Sequence, residues 1–177
     1  MFYYFILYFA FYSFIGWIGE VMYAYKNQKK FVNRGFLHGP FCPMYGACMI
    51  TIVMLCKIFA NLNPFQFFIV ATILTSIVEY LTGLILEKLF NQKWWDYTED
   101  PFNLHGRICL HFSLMFGVLS TIGVKFVHPT IEFIFNNLNP KFGVFLFYFL
   151  IIYLFIDFIS TLFSLIEKDK RKCRISS

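Results

Sequence analysis

Residues 65–86, FQFFIVATILTSIVEYLTGLIL, hold one acid, Glu79, and no base. As a helix rising ~1.5 Å per residue, these 22 positions reach about 33 Å, enough to cross a hydrocarbon core of ~30 Å. Four further apolar stretches of comparable length lie at about 2–25, 41–60, 108–127 and 142–166. The chain therefore reads as an all-α, polytopic membrane protein with five transmembrane helices in a single domain, 1–177. No hydrophilic stretch is long enough for a separate soluble domain, and the chain closes on a short basic tail, 167–177.

Charge supplies an orientation. Lys26, Lys29, Lys30 and Arg34 follow the first stretch; Lys88, Lys93 and Arg107 follow the third; Lys168, Lys170, Arg171, Lys172 and Arg174 follow the fifth. Only Lys57, Lys125 and Lys141 fall in the alternate connections. Under the positive-inside rule this asymmetry places the N-terminus outside and the C-terminus in the cytoplasm. The first stretch lacks a basic n-region and a small-residue cleavage site, so it is expected to persist as a span.

Composition agrees: 59% hydrophobic, 14% charged and a mean hydropathy of +0.64 suit a chain whose solvent is partly lipid. The net charge of +5 resides in membrane-flanking segments, which points to anionic lipid heads as partners and not to nucleic acid. The odd set of five cysteines contains no Cys-x-x-Cys pair and does not form a disulfide framework. His38, Cys42, Cys109 and His111 carry soft donors, but their spacing is not a zinc pattern, so neither metal nor cofactor is expected.

Motifs of soluble chemistry are missing. There is no Gly-x4-Gly-Lys-Ser/Thr loop to cradle nucleotide phosphates, no Gly-x-Ser-x-Gly elbow, no His-Glu-x-x-His and no dinucleotide loop. An ATPase activity would have to come from a separate subunit.

The first and third stretches end alike: Gly16-Trp-Ile-Gly-Glu20 and Gly83-Leu-Ile-Leu-Glu87 both read Gly-x-Ile-x-Glu. Past the basic turns, Gly35 to Gly46 aligns with Gly106 to Gly117 through Gly35/Gly106, Phe41/Phe112, Met44/Met115 and Gly46/Gly117. This pattern predicts a parallel two-hairpin repeat with one extra helix, although Gly-containing apolar helices also share letters by chance. The connections themselves are unusual. Residues 33–46 pack Gly and Pro around aromatics and read as a turn-rich segment able to dip toward the membrane. In residues 94–107, Trp94, Trp95 and Tyr97 read either as interfacial anchors or as a substrate-facing set.

Those polar, Gly, Pro and Trp positions carry a resemblance. Gly16-Trp17-Ile18-Gly19-Glu20, Phe31-Val32-Asn33-Arg34-Gly35-Phe36-Leu37-His38-Gly39-Pro40-Phe41-Cys42-Pro43-Met44-Tyr45-Gly46, Glu79-Tyr80, Trp94-Trp95-Asp96-Tyr97 and Pro101-Phe102-Asn103-Leu104-His105-Gly106-Arg107-Ile108-Cys109-Leu110 resemble the bacterial ABC-transporter type IV family, from about Phe11 to Pro129. The resemblance implies a small bacterial inner-membrane protein, a permease subunit partnered by an ATPase. It implies no catalytic residues, so candidate sites come from physics.

Glu79 lies nine residues before Lys88 and Asp157 eleven before Lys168, which puts both acids roughly 14 to 16 Å from the nearest cytoplasmic charges. An ionised carboxylate at that depth costs at least several kcal/mol, so both should face protein and be protonated, paired or hydrated. They line a candidate solute or ion pathway, with Tyr80 as a partner and His111 as a hydrogen-bonding neighbour of Glu79 or Glu87, or a proton relay. The competing reading makes them interhelical glue, with contacts of about 0.6 to 2 kcal/mol each.

Nearer the cytoplasmic surface, Glu20, Glu87, Arg34 and Arg107 are expected to form an ion-pair cluster that closes a gate or grips an anionic headgroup. Asn33, Trp94, Trp95, Asp96 and Asn103 stand beside it in the connections. Three functions remain open at this level. The first is a transport component, proton- or cation-linked, alone or as a homo-oligomer, although carboxylate coupling sits awkwardly with a purely ATP-driven permease. The second is a membrane-embedded enzyme acting on a lipid or lipid-linked substrate at the cytoplasmic face through Arg34, Arg107, Asp96, His105 and the pair Trp94 and Trp95. The third is a non-catalytic assembly or regulatory subunit.

Overall fold

The computed structural model describes residues 2–58 and 61–175, with side chains for 4–58 and 61–167. Residues 59 and 60 of the second expected span, and the side chains of the basic tail from 168 onward, including Cys173, lie outside the described residues. The elements in order are α1 (Phe2–Gln28), α2 (Pro43–Ile58), α3 (Pro64–Phe90), strands β1 (Asn103–Leu104) and β2 (Ile108–Cys109), α4 (Leu110–Ile122), a π-helical turn (Gly123–Val127), α5 (His128–Asn136) and α6 (Pro140–Ile175). The strands pair antiparallel, Asn103 opposite Cys109 and Leu104 opposite Ile108.

Four helical segments are long and apolar enough to cross a membrane: Tyr4–Gln28, Pro64–Phe90, Leu110–Asn136 and Pro140–Glu167. The protein is a multi-pass, all-α membrane protein. At 16 residues α2 is shorter and rises only about 24 Å.

Apart from α2, which begins at Pro43 inside its stretch, the helices overrun the apolar stretches that mark them, because a hydropathy boundary shows where oil ends and a cap shows where backbone hydrogen bonding ends. For α3 both caps are visible. Asn63 and Gln66 form a reciprocal capping box at 2.9 and 3.0 Å ahead of Pro64, and Asn91 closes the helix in the left-handed region at φ 49°. The fourth span differs most from expectation. It does not stop at Val127 but continues to Asn136 through the π turn, where the His128 amide donates to the Gly123 carbonyl. Pro129 has no amide to give, and a widened turn just before it accommodates that loss.

Packing is inverted relative to a water-soluble bundle. α3 buries Phe67, Ala71, Thr75 and Glu79 along one stripe and turns Ile69, Ile73, Ile77, Leu81 and Ile85 outward. Likewise α4 buries Ser113, Gly117 and Ser120, and α6 buries Asp157 and Thr161. Lipid is as apolar as isoleucine, so what helices gain from one another is close approach and hydrogen bonding. α1 packs on α2, and α3 packs on α4. At both contacts a glycine admits the neighbour: a Cβ on Gly46 would strike the Phe9 carbonyl and Ser13 Oγ, and one on Gly117 would strike Thr72 Oγ1.

Candidate functional site

The two long connections fold back along the helices instead of hanging free. In residues 29–42, Asn33 is the brace. Its carboxamide oxygen accepts from Gly35 N and Trp17 Nε1, both at 3.0 Å, and its nitrogen donates to the carbonyls of Leu37 and His38 at 3.2 and 2.9 Å. The braced turn carries His38 N and Gly39 N onto Asp157 of α6, at 3.1 and 2.9 Å. A Cβ on Gly39 would stand 2.6 Å from Asp157 Oδ2, so only glycine lets the backbone come this close.

Residues 91–109 are held in a similar way. Asn103 donates to the carbonyls of Asp100 and Thr98 at 2.8 and 3.1 Å and accepts from Gly106 N at 3.1 Å. Asp96 accepts from the amide and hydroxyl of Thr98 and lies 3.0 Å from Lys93 Nζ. The Thr98 hydroxyl first, then Lys93, holds the Asp96 carboxyl down at about 2. Gly106, at φ +68°, takes a left-handed turn beside Asp96.

Between the folded-back connections and helices α1 and α3 lies a cavity of about 160 Å³. Its acids are Glu20 and Glu79, its base is Arg34, and its walls include Phe36, Tyr45, Trp94, Trp95 and Tyr97. Phe36 sits against Phe90, Trp94 and Phe158 at 5.9, 5.7 and 6.1 Å between centroids, which locks the first connection to the second and to α6.

Glu79 is 2% exposed. The Tyr97 hydroxyl donates to its Oε1 at 3.1 Å, while Oε2 is buried with no hydrogen-bond partner. Burial, and then the neighbouring Glu79, pushes the Tyr97 phenol well above its usual range, so it remains a donor. Glu20 is better served. Tyr45 donates to Oε1 at 2.6 Å and Arg34 lies 3.5 Å from Oε2, with its guanidinium 5.3 Å from the Tyr23 ring. Gly16 makes this possible, since a Cβ there would overlap the Tyr45 ring.

A second ion pair stands next to the cavity. Arg107 Nη2 meets Glu87 Oε2 at 2.7 Å, and Trp95 Nε1 donates to the Arg107 carbonyl at 2.9 Å. Arg107 also lies 5.5 Å over Tyr80, whose hydroxyl is 3.1 Å from His105 Nδ1. The expected four-residue cluster is thus two pairs, Glu20–Arg34 and Glu87–Arg107, and only the first lines the cavity.

Of the residues singled out from sequence, Glu79, Glu20, Arg34, Trp94 and Trp95 converge on the cavity. Asp157 is held by loop amides, and Asn33, Asn103 and Asp96 brace the connections. His111 does not take its expected place: it is exposed and edges onto Phe112, while Tyr97 holds Glu79 and Arg107 holds Glu87. The reason is geometric, because the returning connection brings a phenol to Glu79 before α4 begins. Tyr45, the phenol that holds Glu20, is the member that sequence reasoning missed. Tyr97 reads from sequence as an interfacial anchor or part of a substrate-facing set, with nothing there to pair it with Glu79. Among the described residues no three His, Cys, Asp or Glu side chains converge as a metal site.

A family model described as "Putative ABC-transporter type IV" matches residues 7–162. The chain belongs to this family. The match runs past Pro129 and takes in Asp157, so α6 is part of the family pattern and not an appendage to it. No curated protein and no solved structure matches the chain. Family membership makes it an ABC-transporter-related membrane protein.

Proposed function

We propose that this family member is a bacterial inner-membrane permease subunit that moves a small solute, with the Glu79 cavity as its solute site on the cytoplasmic side. The observation that carries this reading is the unpartnered Oε2 of a carboxyl 2% exposed and set in a cavity wall. A carboxyl so enclosed requires a proton, a cation or a hydrogen-bond donor, and supplying one from a passing solute couples binding to movement. Transport is therefore proton- or cation-linked at this site, and a separate ATPase subunit and self-association belong to the same proposal.

The reading includes five crossings in one transmembrane domain, N-terminus outside and C-terminus in the cytoplasm. The short α2 fits as the second crossing because residues 36–42, folded in toward Asp157, cover part of the depth ahead of it. Chain duplication is supported by a single offset of 67 residues, which relates Gly16, Ile18 and Glu20 to Gly83, Ile85 and Glu87. The same offset relates Leu37-His38-Gly39 and Cys42 to Leu104-His105-Gly106 and Cys109, and it relates the starts of α2 and α4. In this register Gly39, not Gly35, is the counterpart of Gly106, and each presses its missing Cβ on an aspartate, Asp157 or Asp96.

A headgroup-level enzyme built on Asp96, His105 and Arg107 has less support, since these groups are engaged by Thr98 and Lys93, by Tyr80 and by Glu87 respectively. The test of the transport reading is electrogenic current on solid-supported membranes, measured over a panel of small charged solutes. Current that is present in the wild type, lost in Glu79→Gln and partly kept in Glu79→Asp supports the pathway. Equal currents in all three proteins contradict it.

A further inference from the structure

We infer that the cavity binds one small organic cation through an ammonium group donated to Glu79. This rests on the cavity being the solute site and adds the class of solute. Charge comes first. Arg34 lies 3.5 Å from Glu20 and offsets it, whereas the hydrogen-bond partner of Glu79 among the described residues is the neutral hydroxyl of Tyr97, so the ionised site is short of one positive charge. An anion finds no free base among the lining residues.

Position follows. Oε1 of Glu79 is taken by Tyr97, and Oε2, enclosed at the cavity wall without a hydrogen-bond partner, is the acceptor left for an N–H donor once the packing over it opens. The surrounding walls are aromatic, from Phe36, Tyr45, Trp94, Trp95 and Tyr97, and ring faces attract a diffuse organic cation. A hard metal ion is a poorer occupant, because it takes six or more oxygen ligands and one of the two carboxylates here already serves Tyr45 and Arg34. Size agrees: about 160 Å³ is roughly tenfold what a single water needs, enough for a solute of several heavy atoms.

An ammonium group comes either from a free amine or from an ethanolamine lipid headgroup, and the two sources are separable. The full chain is placed in nanodiscs of phosphatidylglycerol alone, and tryptophan fluorescence is titrated with ethanolamine, with sodium chloride at matched ionic strength as control. Trp94 and Trp95 report from the cavity wall. The expected result is a saturable ethanolamine response, absent with sodium and weakened at least about tenfold in Glu79→Gln but less in Glu79→Asp. No saturable response, or the same affinity in Glu79→Gln with an unchanged gel-filtration profile, overturns the inference. Repeating the titration with phosphatidylethanolamine in the disc assigns the source: a lowered apparent affinity marks the headgroup, an unchanged one the free amine. Solute currents that need Glu79 without any ethanolamine binding would overturn the solute class while leaving the transport reading in place.

Discussion

The hydroxyl of Tyr97, in the connection after α3, reaches back to Glu79 in the middle of that helix, with 3.1 Å between the oxygens. Glu79 precedes the end of α3 at Phe90 by about three turns, so the hydroxyl lies roughly 16 Å back along the helix from where the chain leaves it. One phenol thereby determines how the buried acid is sheltered. Replacing Tyr97 with Phe removes the donor and keeps the ring stacked on Phe112, whose centroid is 4.9 Å away. We expect a stability loss of about 1 to 2 kcal/mol, in the range of intramembrane hydrogen bonds, read by thermal unfolding in detergent. Solute currents should fall with it, and unchanged values of both would show that the contact is idle.

Gly39 gives a steric prediction. Alanine there puts a methyl group into the Tyr153 hydroxyl and 2.6 Å from Asp157 Oδ2, closer than real Cβ contacts come. The first connection must then lift from α6, losing the hydrogen bonds of His38 and Gly39 to that carboxylate. The expected cost is about 1 to 3 kcal/mol, with faster amide exchange at residues 36–42. Gly19 is the control, because a Cβ there meets nothing within 4 Å.

Asp96 gives a dependence on pH. Its folded value of about 2 lies below the ordinary 3.8, so the carboxylate form is favoured by the fold. The stabilisation is complete above about pH 4 and is lost as pH falls toward 2. Tryptophan fluorescence from Trp94 and Trp95 should therefore shift between pH 4 and 2 as the turn loosens. In Asp96→Asn that step should be absent, and a step of the same size in the variant would sink the assignment.

Orientation is tested with topology reporters. Alkaline phosphatase fused after residue 62 should be active and fused after residue 93 inactive, if the proposed orientation keeps the basic connections in the cytoplasm. The reverse pattern would overturn the orientation, and activity at both points would overturn the crossing count.

Much of the fold could be read from sequence because lipid imposes simple rules. Residues 65–86 mark α3 by length and apolarity alone, and Glu79 stands out as the residue that oil should reject. The Gly-x-Ile-x-Glu pair likewise locates two of the acids that end in ion pairs, Glu20 and Glu87. Other features are tertiary and leave no periodic trace. Tyr45 finds Glu20 because Gly16, on another helix, leaves room, and neither residue alone announces this contact. Asp157 looks like a pathway acid by depth, yet backbone amides 118 and 119 residues away occupy it. The helix past Val127 was hidden because Pro129 ordinarily stops a helix, and a π turn is visible only in the backbone.

The most direct test compares two positions on α3 at similar depth. Glu79 faces the cavity, while Ile77 is 50% exposed on the outward stripe. Each is changed to cysteine, and inside-out vesicles are treated with a membrane-impermeant cationic methanethiosulfonate, with labelling resolved by peptide mass spectrometry against the native cysteines. A solute pathway that opens at Glu79 predicts modification of Glu79→Cys, slowed by added solute, and none of Ile77→Cys. Modification of neither position, or of Ile77→Cys alone, would contradict it.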